Sequence, residues 1–171
     1  MGCVTLLTLD DVRIRPYGRH DEDRLRRMSA RLSSRSLYQR FFSGTPTLPE
    51  RYVHSLADLD HWDHDALVGI VDDEMAGIAE YVRHPGTPWR AELAILVTDD
   101  WQRRSLGSHL IGFLTQLAAR RGIHEFAADV LLDNRGGLAA VRSAWPTVIP
   151  QHCSGSAHFA LPLTDSLAAR A

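Results

Sequence analysis

The chain has 171 residues, of which 44% are hydrophobic and 23% are charged, and its formal net charge is −2. This composition is typical of one globular domain with a sizeable core, and the charge balance argues against a nucleic-acid binder with a basic face. No apolar run approaches the roughly 20 residues of a membrane span. Cys3 and Cys153 follow no metal or disulfide pattern, so a cytoplasmic protein without a metal is the expectation.

The first third of the chain predicts one strand and three short helices. Apolar and basic residues alternate over residues 12–15 and then meet Pro16, a pattern that is typical of a half-buried strand. Apolar residues at helical spacing predict helices over residues 21–32, 33–42 and 50–59. Residues 1–10 and 164–171 read as tails of a single domain, the first of them as a tail or an extra edge strand.

The middle of the chain predicts a hairpin and a buried strand. Two apolar runs, residues 66–71 and 75–82, are joined by a short acidic turn. Gly77 marks a bulge or a close approach in the second run. An exposed loop rich in Pro and Gly is predicted over residues 84–88, and a buried strand over residues 91–98.

The last third predicts two helices and three strands. Leucines at helical spacing continue from Leu106 to Arg121, where Gly122 ends the helix. The further elements follow in the order strand, helix, strand and strand, over residues 123–132, 138–145, 148–151 and 158–163.

The segment between the buried strand and the long helix predicts a phosphate site. Residues 102–108 are small or basic, and they open a helix whose first turn carries unpaired N–H groups and a partial positive charge. The segment is not a P-loop, because no Gly-Lys-Ser/Thr ends it. It is not a dinucleotide fingerprint either, because its glycines do not fall as G-x-G-x-x-G.

Gln102 to Gly107 resembles the Q/R-x-x-G-x-G/A loop of the GCN5-related N-acetyltransferases (GNAT), which cradles the pyrophosphate of acetyl-CoA. Further segments are similar to the acetyltransferase domain of bacterial Pat-type protein lysine acetyltransferases: residues 36–42, 64–69, 79–83 and 91–94. The resemblance covers most of residues 12–145. It implies an α/β (α+β) fold with a mixed, mostly antiparallel central sheet and helices on both faces.

The resemblance also implies a set of residues that bind acetyl-CoA. They are the end of the central strand, the loop with the helix start, and an asparagine after the next strand: Leu96, Val97, Gln102, Arg103, Arg104, Ser105, Leu106, Gly107, Ser108 and Asn134. Ser105 stands where the family usually has its first glycine, and it costs energy if that position needs a positive φ. Asn134 is equally well explained as a plain turn residue.

Two residues are the candidate catalytic groups. Glu92, on the strand before the loop, matches the glutamate that acts as general base in the Pat-like family. Its alternative is a rim carboxylate or an ion pair with Arg90, and Glu80 is the fallback base, with strand parity expected to decide between the two glutamates. His64 matches a histidine of the same pattern and suits proton transfer near neutral pH.

The expected activity is acetyl transfer from acetyl-CoA to a primary amine by direct attack. The resemblance favours a protein lysine as the acceptor. A small-molecule amine is the first alternative, and a non-catalytic CoA-binding module is the second. In the acceptor groove of such a fold, Tyr38 or Arg40 either faces the substrate or packs in the core. The oligomeric state is not predicted.

Overall fold

The computed structural model describes residues 7–166. The strands are β1 (Arg13–Pro16), β2 (His64–Val71), β3 (Glu74–His84), β4 (Thr87–Val97), β5 (Glu125–Leu131), β6 (Gln151–Cys153) and β7 (Ser156–Pro162). The helices are α1 (Glu22–Ser29), α2 (Ser34–Phe41), α3 (Glu50–Ala57), α4 (Leu106–Arg120) and α5 (Arg135–Ala144). The strands form one seven-stranded sheet in the order β1-β2-β3-β4-β5-β7-β6.

The sheet is mixed and mostly antiparallel, since β4 and β5 form its one parallel pair within the described residues. One core lies between the sheet and α1, α2 and α3, and it includes Leu25, Leu37 and Leu56. The other core lies between the opposite face and α4 and α5, and it includes Leu110 and Val141. The predicted fold class is thereby confirmed. We call the two sides of the sheet the α1–α3 face and the α4–α5 face.

Each predicted helix and strand is present, with boundaries that differ by up to a few residues, and two of the differences have a clear cause. The loop predicted over residues 84–88 is wrong, because β3 runs to His84 and β4 begins at Thr87. The register between these strands shifts next to Arg83, so Pro88 falls at an irregularity where its missing N–H removes no ladder bond. The strand predicted over residues 148–151 is instead Gln151–Cys153, because the turn at Ser154 and Gly155, both with positive φ, sets the hairpin register.

Two glycines let α4 lie close against the sheet. A Cβ on Gly69 would stand 3.1 Å from Leu106 Cδ1, and a Cβ on Gly77 would stand 3.1 Å from Leu110 Cδ1. The register of the β2–β3 pair also shifts between Gly69 and Ile70. The close approach predicted at Gly77 is therefore confirmed.

Parts of the predicted tails pack against the domain. Leu7 and Leu9 are partly buried against the core of the α4–α5 face, and Ser166 is fully buried. Residues 1–6 and 167–171, which hold the rest of both predicted tails, lie outside the described residues. Within residues 7–166, none of the helices has the length and apolar character needed to cross a membrane.

The separation of β4 from β5 positions the site. These strands pair only at Arg90 with Glu125, Ala91 with Phe126 and Glu92 with Ala127. Beyond Glu92 they diverge, and residues 93–97 keep their pairing with β3 alone. A V-shaped cleft therefore opens in the middle of the sheet, next to the start of α4.

Candidate active site

The cleft beside the end of β4 that is not paired with β5 has a volume of about 620 Å³. It is lined by the end of β4, the loop that precedes α4, the start of α5 and one side of α2. All the predicted cofactor-binding residues except Arg104 line it: Leu96, Val97, Gln102, Arg103, Ser105, Leu106, Gly107, Ser108 and Asn134. The structure thus brings together residues from both sides of the separated strands.

The loop before α4 contains two left-handed residues. Arg103 has φ 59° and Ser105 has φ 62°. The position of Ser105 therefore does need a positive φ, and the strain expected for serine there is present. Such a backbone, followed by a helix N-terminus, turns successive N–H groups towards one concave side, which suits an anion. Gly107 lets the helix approach β4, because a Cβ there would stand 3.3 Å from Ile95 Cδ1.

Gln102 ties this loop to α2. Its Nε2 donates to Ser36 Oγ at 3.0 Å and to the Val97 carbonyl oxygen at 3.1 Å. Ser36 Oγ in turn donates to Asp99 Oδ1 at 2.8 Å. The amide nitrogen of Gln102 therefore braces the cleft and joins three segments around it.

Arg104 is the predicted site residue that the structure sets apart from the others. Its guanidinium lies 5.1 Å from the centre of the Trp101 ring, and its Nη1 donates to the Leu7 carbonyl oxygen at 3.4 Å. The neighbouring Arg103 lines the cleft. Two adjacent residues in a tight loop point in different directions, which the sequence pattern of two arginines does not reveal.

Asn134 lies in the cleft and also caps α5. Its Oδ1 accepts a hydrogen bond from the Gly137 N–H at 2.9 Å. A Cβ on Gly137 would stand 2.8 Å from Asn134 Nδ2, so the cap requires glycine at this position. Asn134 thus has a structural role as the N-cap of α5, and its position in the cleft leaves the cofactor role a prediction.

The α2 segment contributes more residues to the cleft than the Arg40 that the sequence pointed to. Ser33, Arg35 and Gln39 of the α2 segment line it. Arg35 Nη2 also donates to the Asp133 carbonyl oxygen at 3.1 Å, which joins α2 to the loop before α5. The signal that was available is the polar side of α2 opposite its buried Leu37.

Glu92 lies at the point where β4 and β5 separate. It pairs with Ala127 on one side and with Val82 on the other. Its side chain is exposed and has no ion-pair partner within residues 7–166. The ion pair considered with Arg90 is not formed, since Arg90 Nε lies 3.2 Å from Glu125 Oε1 instead.

Strand parity does not separate the two candidate glutamates. Glu80 pairs with Ala94, two residues beyond Glu92, so both carboxylates lie on the α1–α3 face. Burial separates them, because Glu80 is 4% exposed. Burial raises the pKa of Glu80, but the hydrogen bond from His64 and the charge of Arg40 more than offset it and hold that pKa below its ordinary range.

His64 and Arg40 both contact Glu80. His64 Nε2 lies 2.8 Å from Glu80 Oε2, and Arg40 Nη2 lies 2.6 Å from Glu80 Oε1. Arg40 also lines the cleft, while Tyr38 is 47% exposed. In the described part of the chain, no three or more His, Cys, Asp or Glu residues are grouped to hold a metal ion.

Residues 30–142 match the model of the acetyltransferase (GNAT) family. The chain is 35% identical over 125 residues to "Acetyltransferase Pat" of Mycolicibacterium smegmatis, an alignment that covers 71% of this chain and 37% of that protein. This chain therefore spans little more than a third of that curated relative.

Solved structures show the same fold. The GNAT domain of S. lividans PAT superposes with a TM-score of 0.81 at 29% identity, over 88% of this chain and 90% of that one. The yncA protein of Salmonella typhimurium, solved with acetyl-CoA, superposes with a TM-score of 0.71 at 15% identity, over 90% and 94% of the two chains. The fold, the cleft and the family match lead to one conclusion: the chain belongs to the GNAT family of acetyl-CoA-dependent N-acetyltransferases.

Proposed function

We propose that this protein transfers the acetyl group of acetyl-CoA to the side chain of a protein lysine by direct attack of the amine. The similarity to "Acetyltransferase Pat" and to the GNAT domain of S. lividans PAT supports this acceptor class. Because the chain spans 37% of the former, the comparison supports the transfer reaction and carries no argument about regulation.

The observation that carries the proposal is the position of Glu92 at the fork of the sheet. Pairing between β4 and β5 ends at Glu92 and Ala127, so Glu92 lies where the two strands separate, three residues before Ile95, the first residue of β4 that lines the cleft. Residues of the loop before α4 line the same cleft. A thioester held along β4 would therefore have an unpaired carboxylate beside it.

Acetyl-CoA fits the cleft by its chemistry. The N–H groups at the start of α4, together with Arg103, suit the pyrophosphate. The unpaired edge of β4 suits the amide groups of the pantetheine arm. The Thr98 N–H donates to Ala76 of β3, and because alternate residues point to opposite sides, the Val97 N–H points into the cleft. That N–H is the candidate donor to the oxyanion.

The acceptor must lose a proton before it attacks, since a free lysine has a pKa of about 10.4. Glu92 is exposed on the α1–α3 face, and it takes this proton directly or through one water. The amine nitrogen then bonds to the thioester carbon, the C–S bond breaks, and CoA leaves as a thiolate. A thiolate leaves readily because its thiol pKa is only about 8–9.

Calorimetric titration with acetyl-CoA tests the cofactor site with a matched pair of arginines. We expect Arg103→Ala to weaken binding about tenfold, the loss of one charge-assisted contact. Arg104→Ala should bind like the wild type, because Arg104 stacks on Trp101 outside the cleft. Equal losses in the two variants, or none in either, would contradict this assignment of the loop.

Release of CoA with lysine peptides and with small polyamines tests the acceptor. Glu92→Gln should lower kcat at least about 100-fold and leave the affinity for acetyl-CoA unchanged. Turnover with small amines alone would favour a small-molecule acetyltransferase. Binding without any amine-dependent release of CoA would favour a CoA-binding module.

A further inference from the structure

Three charged or titratable side chains meet on the α1–α3 face beside the cleft: Arg40, Glu80 and His64. Each carboxylate oxygen of Glu80 has one of the other two as its partner, Oε1 at 2.6 Å from Arg40 and Oε2 at 2.8 Å from His64. We call these residues the Arg–Glu–His cluster. Its side chains are exposed to different degrees, 20% for Arg40, 5% for Glu80 and 19% for His64.

The Arg–Glu–His cluster contributes little net free energy to the stability of the fold. A buried carboxylate loses its hydration, and buried ion pairs replaced by apolar residues often leave stability unchanged or higher. Arg40 adds to this cost, because its Nε is buried without a hydrogen-bond partner. The guanidinium is held by packing over the rings of Phe41, at 4.9 Å, and Tyr52, at 5.1 Å. The burial of the Glu80 carboxylate between Arg40 and His64 is therefore not explained by packing alone, and it indicates a further role.

The hydrogen bond between His64 and Glu80 selects one imidazole tautomer. An ionised carboxylate only accepts hydrogen bonds, so in the neutral ring of His64 Nε2 carries the proton and Nδ1 keeps its lone pair. Within the described residues, Nδ1 has no hydrogen-bond partner. The His64 N–H is anchored as well, by Asp60 Oδ1 at 2.9 Å. The hydrogen bond to Glu80 therefore orients the ring, the bond to Asp60 fixes the backbone of His64, and Nδ1 is left without a partner among residues 7–166.

The position of His64 in the sheet brings it to the same surface as Glu92. His64 pairs with Val82 of β3, and Val82 pairs with Glu92 of β4. These three residues form one row across the α1–α3 face, with neighbours about 5 Å apart. Val82, in the middle, is 45% exposed. An amine above Val82 would have Glu92 on one side and His64 on the other.

We propose that Arg40 and Glu80 are positioning residues that hold His64 with its Nδ1 open, and that His64 is the second proton acceptor of the acetyl transfer. This inference rests on the proposed function. The attacking nitrogen begins as an ammonium with three N–H bonds and ends as an amide with one. Glu92 takes the first proton before attack, and His64 Nδ1 takes the second from the tetrahedral intermediate. Both acceptors then release their protons to solvent, which protonates the departing thiolate, so one proton is released per turnover.

The charged groups around His64 suit this role. Glu80 of β3 faces the ring and neutralises an imidazolium, while Arg40 of α2 keeps Glu80 ionised. Asp60 lies before β2, and Tyr52 of α3 lies beside Arg40. Among residues 7–166, Arg40 is the cation of this group, and its charge is balanced by Glu80.

His64→Ala tests the proposal without breaking the buried ion pair. We expect kcat to fall about 100-fold while the affinity for acetyl-CoA stays unchanged, and added imidazole should restore part of the rate. Glu74→Gln is the control, and it should keep the wild-type rate. Glu74 lies at the start of β3, away from the cleft, where it forms an ion pair with Arg27 of α1. A His64→Ala variant as active as the wild type, or a slow one that imidazole fails to rescue, would overturn the proposal.

The ring tautomer tests the positioning step without turnover. Nitrogen-15 spectra should show the Nε2–H tautomer of His64 in the wild type. Glu80→Gln should lose that single tautomer, because the amide no longer offers Nε2 and Arg40 two carboxylate oxygens as acceptors. An Nδ1–H ring in the wild type would overturn the proposal. If turnover does not change when His64 is replaced, this inference alone is wrong. If the wild type turns over no amine at all, the proposed function is wrong as well.

Discussion

Ser105 affects both the stability of the loop before α4 and the space that the loop leaves for a ligand. Its φ of 62° places it in the left-handed region, where a residue with a Cβ is disfavoured by about 1 kcal/mol relative to glycine. Its side chain lines the cleft at the start of α4 but makes no cap hydrogen bond to the helix. Serine here therefore combines backbone strain with a Cβ in the position that the pyrophosphate would approach.

We expect Ser105→Gly to raise the free energy of unfolding by about 0.5 kcal/mol, the strain relieved minus the entropy that glycine loses on folding. The same variant should bind acetyl-CoA several-fold more tightly in the calorimeter. Ser105→Ala is the control, because it removes the hydroxyl and keeps the Cβ, and it should gain neither. Weaker binding by both variants would instead mean that the hydroxyl contacts the phosphates.

At the scale of one element, two adjacent glycines at the start of α5 differ in how closely their surroundings approach them. Gly137 donates its N–H to Asn134 Oδ1, and a Cβ there would stand 2.8 Å from the Asn134 side chain and 3.1 Å from Val130 Cγ1. A Cβ on Gly136 would meet nothing closer than Asn134 Oδ1 at 3.8 Å. One glycine is thus required by the cap, and the other is free to change.

We expect Gly136→Ala to raise the free energy of unfolding by about 0.5–1 kcal/mol, because alanine favours the helix. Gly137→Ala should lower it by about 1–2 kcal/mol, because the Asn134 cap is displaced. Urea denaturation of both variants measures the difference. Equal effects of the same sign would show that Asn134 does not cap α5 in solution.

At the scale of the whole molecule, the N-terminal elements are joined to the sheet through one buried carboxylate. Asp21 is 1% exposed, and it binds both terminal nitrogens of Arg15, at 2.6 and 2.7 Å. Arg24 of α1 also reaches Asp21, at 3.1 Å, and it continues to Asp73 in the β2–β3 turn. Burial raises the pKa of Asp21, but the hydrogen bonds from Arg15 and Gly18 more than offset it and leave that pKa below its ordinary range.

This lowered pKa predicts acid sensitivity. The stabilisation by Asp21 is complete above the unfolded pKa of about 3.9, and it is lost as the pH falls through the lower folded value. We expect Asp21→Asn to lower the free energy of unfolding at pH 7 by about 2 kcal/mol and to flatten its decrease in acid. Asp73→Asn is the control, since Asp73 is 73% exposed and should have a much smaller effect. Parallel acid-denaturation curves for the wild type and Asp21→Asn would contradict this account.

Much of the molecule could be predicted from local patterns. The apolar periodicity predicted the helices and strands within the described residues, apart from the bounds of β6 and of the turn between β3 and β4, because each element must bury one face. The small and basic loop before α4 predicted where an anion would bind, because a helix N-terminus has unpaired N–H groups wherever it occurs. The resemblance of residues 102–107 then identified the family, and the family match over residues 30–142 confirms it.

Two features of the site were decided only by the tertiary structure: the place where β4 and β5 separate, and the directions in which the side chains point. The fork after Glu92 arises because β4 and β5 pair over three residues and then diverge, and pairing length is a property of the whole sheet. Arg103 and Arg104 are alike in sequence, yet only the first lines the cleft. Glu80 and Glu92 share a face, so parity could not distinguish them. Their burial distinguishes them, because the Glu80 carboxylate is buried against Arg40 and His64. These contacts join residues that lie far apart in the chain.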